Sequence, residues 1–85
     1  MKWDLYSFVV RSEQRKKVIL SLKEPKTPTQ IAKDVKLSTS HVSRSLADFL
    51  KKGIVSCLTP KEKIGRVYEL TPEGKKILER LSKEG

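Results

Sequence analysis

Thr29–Lys52 reads TQIAKDVKLSTSHVSRSLADFLKK and ends against Gly53. Ile31, Ala32 and Val35 recur at the spacing of one helix face. Val42, Leu46, Phe49 and Leu50 do the same at i, i+4, i+7 and i+8, which predicts a second helix over 39–52. Leu37 and Ser38 sit between the two, and Ser38 is a good N-cap for the second helix. Ala32 is small enough to let the helices approach. Lys36 falls where the turn favours a positive φ, a conformation that Gly or Asn adopts more easily. A lysine holds it at about 1 kcal/mol. Two short helices across so short a turn form a helix-turn-helix layout.

At 100° per residue, the apolar stripe of 39–52 leaves Ser40, Arg44, Ala47, Asp48 and Lys51 on the far side, with His41 at its margin. The leading half of that side, Ser38, Thr39, Ser40, His41, Ser43 and Arg44, is short and rich in hydrogen-bonding groups. Short side chains let a helix lie deep in a DNA major groove, where an arginine can bond guanine O6 and N7 together. The free N–H groups of a helix start also favour phosphate. A serine-rich start serves capping alone just as well. The preceding helix, the charge of the chain and the segment that follows tip the reading toward base or phosphate contact. His41 has no second ligand near it in sequence, so no metal site is expected there.

Gly53 suits the position just past a helix end. Ile54–Leu58 then reads as a strand, Thr59–Gly65 as a turn-rich loop and Arg66–Leu70 as a second strand, together a β-hairpin. Lys61, Lys63 and Arg66 lie on its tip or rim. Cys57 packs within the hairpin; a redox role would need a lowered pKa. Thr71 caps a last helix, with Pro72 at its first position and Glu73 against its positive end. Ile77, Leu78 and Leu81 give that helix an apolar stripe. Gly74 weakens it intrinsically, so tertiary packing must hold it.

Upstream, Ser12–Leu22 predicts a helix capped by Ser12, without the reciprocal acid that would complete a capping box. Val18, Ile19 and Leu22 supply its stripe. Arg11, Arg15, Lys16 and Lys17 form the densest basic cluster, a solvated face or a reach toward phosphates beside the groove. Arg15 and Lys16, with Lys51, are secondary candidates for DNA-backbone contact. Pro25 and Pro28 bracket the next loop, and Thr27 or Thr29 stands near the start of the following helix. Residues 1–11 fit either a helix face (Trp3, Tyr6, Val10) or a strand face (Tyr6, Phe8, Val10). This aromatic arm either folds on its own core or meets a partner, such as a second copy.

The chain has 85 residues, with 19 Lys+Arg against 10 Asp+Glu and a net charge of +9. That length makes a single domain, 1–85, with a small core. The charge points to a polyanionic partner, although a solvated basic surface has the same composition. One cysteine and one histidine exclude an internal disulfide and a thiol-imidazole zinc site. The N-terminus has neither the apolar length of a spanning helix nor the order of a signal peptide, so a cytoplasmic protein without a membrane partner is expected. No paired acid with a His or Cys partner, phosphate-cradling glycine loop or ligand cluster is visible, so neither an enzyme nor a cofactor is expected.

Three strings carry a family resemblance: RSEQRKKVILSL, IAKDVKLSTSHVSRSLADFLKKGIV and IGRVYELTPEGKKIL. Together they resemble a winged helix-turn-helix domain of the MarR and ArsR regulator families and small archaeal DNA-binding proteins. GR-x-Y-x-LT-x-x-G is the most family-like string. The resemblance implies a mainly α fold with a small β-hairpin, a three-helix core plus wing and C-terminal helix. It also implies that Ser38–Arg44 enter the major groove and that the wing, 59–66, touches the DNA backbone or minor groove. The ArsR metal sensors carry paired cysteines on the recognition helix; this helix has none, so metal sensing is not carried over. Larger MarR proteins have flanking helices that build a dimer and a ligand pocket. Here only the aromatic N-terminus and one C-terminal helix stand in for them, which favours a homodimer and gives no reason to expect a small-molecule effector.

The leading expectation is a sequence-specific DNA-binding transcriptional regulator that binds double-stranded DNA. The alternatives are a winged-helix protein-interaction module using the aromatic N-terminus, and a nonspecific architectural nucleic-acid binder.

Overall fold

Helix starts in this chain are written by hydroxyl side chains, and the computed structural model, which describes residues 3–62 and 65–84 apart from the side chains of Trp3 and Glu84, shows four of them at work. Helix α1 spans Trp3–Val10 and α2 spans Glu13–Ser21. Ser12 caps α2 from an extended conformation, its Oγ accepting from the Arg15 N–H at 3.3 Å. Helix α3 spans Pro28–Val35. Thr27 rather than Thr29 caps it. Thr27 Oγ1 accepts from Gln30 N–H at 3.2 Å while Gln30 Oε1 accepts from Thr27 N–H at 2.9 Å, a full capping box. Pro28 fills the first helical position, where its missing N–H goes unneeded. Helix α4 spans Thr39–Lys51 and is capped by Ser38, whose Oγ accepts from His41 N–H at 3.2 Å. Each such cap contributes about 1 kcal/mol.

The turn between α3 and α4 depends on Lys36, which sits at φ 59° and ψ 40°, as the sequence demands of that position. The Lys36 and Leu37 N–H groups both close onto the Ala32 carbonyl. Leu37 then packs against the core as an apolar residue after such a turn does.

Two short strands, β1 (Val55–Cys57) and β2 (Tyr68–Leu70), pair antiparallel in the register Val55 with Leu70 and Cys57 with Tyr68. These four side chains share the core-facing side. The strands are shorter than expected. Ile54, Arg66 and Val67 fall outside the ladder, as does Leu58, although the Leu58 N–H still reaches the Val67 carbonyl at 2.7 Å. On its other side Tyr68 exchanges two backbone hydrogen bonds with Lys26, at 2.9 and 3.0 Å, so the loop before α3 closes onto the hairpin.

Helix α5 spans Pro72–Glu84. Thr71 Oγ1 accepts from Gly74 N–H at 3.2 Å and lies 2.6 Å and 3.0 Å from the Gly53 and Ile54 carbonyl oxygens, toward which it donates. The Thr71 N–H also donates to Ile54 at 3.0 Å. The helix comes so close that a Cβ on Gly74 would sit 2.1 Å from the Ile54 oxygen. The LT-x-x-G string is therefore a docking device that seats α5 on the segment leaving α4.

The core takes side chains from every helix and both strands: Val9, Ile19, Ile31, Phe49, Ile54 and Ile77 are fully enclosed. One open choice is decided here and one expectation changes. Trp3–Val10 form a helix, and Tyr6 and Val9 enter the core, so this segment folds on its own domain; the helices among the described residues are thereby five. Leu50, assigned to the apolar stripe of α4, is 40% exposed. It lies at the edge of the stripe in the last turn, beyond what the neighbouring elements cover. Among the described residues no helix is long and apolar enough to cross a membrane.

Candidate nucleic-acid interface

The buried stripe of α4, Val42, Leu46 and Phe49, fixes which way the helix faces. Between those positions Ser43, Arg44 and Ala47 turn outward, while Ser45 and Asp48 are half-buried. Ser38, Thr39, Ser40, His41, Ser43 and Arg44 are all exposed, on the first two turns. Among the described residues, the cap at Ser38 is the one hydrogen bond their side chains make within the protein. Arg44 makes no ion pair among the described residues. Lys51 stands seven residues on, two turns along nearly the same face and about 10 Å up the axis.

The hairpin brings a second cation, Arg66, beside this face. A cleft of about 420 Å³ is lined by Thr39 and Ser43 of α4, Thr27, Pro28 and Thr29 at the start of α3, and Gly65, Arg66 and Tyr68 of the wing. The Arg66 Nε–H donates to the Glu62 carbonyl oxygen, which ties the guanidinium to the wing. Lys61 is exposed in the same loop, and Lys63 lies outside the described residues. Two helix starts and one guanidinium thus open onto one concave surface lined with hydroxyls. That combination suits phosphate oxygens, with the helix starts supplying partial positive charge and Arg66 a full one.

Thr27, Pro28, Thr29 and Tyr68 line this cleft without having been expected among the DNA-contacting residues. Thr29 had a signal, a hydroxyl at a helix start, but it was read as a capping choice. Tyr68 had none, since its place depends on the bridge to Lys26.

The secondary candidates are placed differently. Arg15 donates from Nη1 to the Phe8 carbonyl oxygen at 2.9 Å, and its guanidinium carbon lies 3.8 Å from the centroid of the Phe8 ring. Lys16 pairs with Glu13 at 2.6 Å, and this bond and charge hold the Glu13 carboxyl below its usual pKa. Both cations are engaged inside the molecule, whereas Lys51 is exposed. Asp34, read as a plain surface acid, pairs with Lys26. Among the described residues no three His, Cys, Asp or Glu side chains gather as metal ligands would.

This architecture of helices, turn and wing defines a class. The sequence matches the winged helix-turn-helix family over residues 17–84, and the chain belongs to that family. No curated protein matches the sequence. Among solved structures, the reduced form of MarR from E. coli superposes with a TM-score of 0.76 at 25% identity, over 95% of this chain and 64% of that one. A MarR family transcription regulator superposes at 0.75 with 21% identity, over 95% of this chain and 60% of that one. The chain thus spans less than two thirds of the length of either. TubR bound to 24 bp of tubC, from Bacillus thuringiensis serovar israelensis pBtoxis, superposes at 0.80 with 15% identity, over 96% of this chain and 92% of that one. These likenesses establish the fold.

Proposed function

We propose that this chain is a sequence-specific DNA-binding transcriptional regulator, acting as a homodimer, and a binding protein rather than an enzyme. The observation that carries the reading is the bare leading face of α4 beside a hydroxyl-lined cleft closed by Arg66. In this reading α4 enters the major groove. Ser40, His41, Ser43 and Arg44 meet base edges, and Ser38 and Thr39 meet phosphate at the helix start. Lys61, Lys63 and Arg66 of the wing hold the backbone or minor groove, and Lys51 a flanking phosphate. A net charge of +9 supplies the nonspecific attraction. A structure of the same fold, TubR, has been solved on DNA, which supports the same use here. The interaction-module reading loses ground, because Tyr6 and Val9 of the N-terminal segment are spent on the core.

The test begins by selecting bound fragments from the source genome. On the selected duplex, Arg44→Ala should lose about 1–3 kcal/mol of binding, and much less on random duplex. Lys61→Ala should weaken both alike and flatten the salt slope by about one unit. Equal losses on both duplexes for Arg44→Ala would remove α4 from the groove.

A further inference from the structure

A second cleft, of about 710 Å³, runs between α2, α3 and the loop that joins them. It shares no residue with the recognition face or the wing. Its apolar lining comes from Leu20, which is 37% exposed, and Val35. Around them stand Lys17, Lys23 and Lys36, all exposed and without an ion pair among the described residues. Lys26 and Asp34 also line it but neutralise each other. Glu24 is the one other acid on the rim.

Lys36 adds an independent observation. It holds a left-handed backbone, φ 59°, that a glycine would adopt without strain. The chain keeps a lysine there, and the lysine lines this cleft. Strain retained at a rim cation points to a use for the cation.

We propose that this cleft docks an acidic amphipathic segment of a partner protein, leucine-like side chains on Leu20 and Val35 and carboxylates on Lys17, Lys23 and Lys36. Charge complementarity selects the occupant. A second copy of this chain brings +9 of its own and meets the rim with like charge. A DNA backbone offers nothing apolar to Leu20 and Val35, and no aromatic side chain lines the cleft for a single strand to stack on. An amphipathic acidic helix matches both features at once. The proposal stands independently of whether the chain binds DNA.

The probe is a short synthetic peptide with leucines at i, i+3, i+4 and i+7 and glutamates on its flanks, titrated into the ¹⁵N-labelled full chain. Binding should shift the amides of Leu20, Ser21, Val35 and Lys36 and leave Ser40–Arg44 in place. Glutamine in place of the glutamates, or serine in place of the leucines, should weaken binding roughly tenfold, in line with a few exposed charges or buried methylenes. The double variant Lys23→Glu, Lys36→Gly should lose a similar factor. Lys36→Gly alone should raise Tm by about 5 °C, which separates lost binding from lost folding. Shifts centred on Ser40–Arg44, displacement of the peptide by a short duplex, or affinity indifferent to the peptide's leucines and to Lys36 would each overturn the proposal.

Discussion

Helices α4 and α5 are each 13 residues long, and both bury one apolar side and expose the other. Their exposed sides are built to opposite ends. On α5, Glu73 pairs with Lys76 at 3.8 Å and Glu79 with Lys83 at 3.1 Å, so opposite charges meet along the helix itself. On α4 the first turn has no acid, its side chains are hydroxyls and an imidazole, and Arg44 has no ion-pair partner among the described residues. One helix pairs acids with bases along its own surface; the other leaves donors and a guanidinium facing outward. Periodicity is the same in both, so it reports only that each helix packs. The chemistry between the apolar positions tells which one is equipped to meet a polyanion.

The contrast can be broken first at its structural root, the seat of α5. Gly74→Ala gains about 1 kcal/mol of helix propensity. It also forces a Cβ against the Ile54 carbonyl, an overpacking that costs about 3 kcal/mol. A net loss of about 2 kcal/mol is expected, read by urea unfolding with an unchanged m-value. A variant as stable as the parent would show that α5 does not dock so closely. At the other helix, Ser38→Ala removes the Oγ that accepts from His41 N–H and should cost about 1 kcal/mol in the same measurement. The loss should vanish in Ser38→Asp, which restores a cap. The smallest change sharpens the comparison from the α5 side. Glu79→Gln breaks an exposed pair and should move stability by no more than about 0.5 kcal/mol. A larger loss would mean that the ion pairs of α5 hold the fold rather than merely occupy its surface.

Much of the molecule was legible before its tertiary structure. The helix over 39–52, the turn through Lys36, the hairpin and the capped last helix each carry a local signal: a period, a cap or a special φ. The outward placing of Thr39, Ser40, His41, Ser43 and Arg44 on α4 was legible because 100° per residue fixes their side once the apolar stripe is known. The illegible parts share one cause. Tyr68 reached the cleft through backbone bonds to Lys26, 42 positions earlier. Residues 3–10 became a helix because Tyr6 and Val9 found core to fill, while the aromatic pattern alone suited a strand equally well. Arg15 was withdrawn from the set of free cations by Phe8, whose ring also meets Phe49 edge-on with centroids 6.1 Å apart.

The sequence by itself determined which segments from Ser12 onward are helical, to within a residue or two where they start, and that the chain carries a large excess of positive charge. These follow from interactions within a turn or two of chain, which local spacing encodes. Only the tertiary structure decided which cations remain unpaired, why position 74 has no room for a side chain, and that the start of α3, the start of α4 and Arg66 open onto one cleft. Those outcomes depend on residues distant in sequence meeting in space, where the enclosure of the core sets the geometry and the surface receives what is left over.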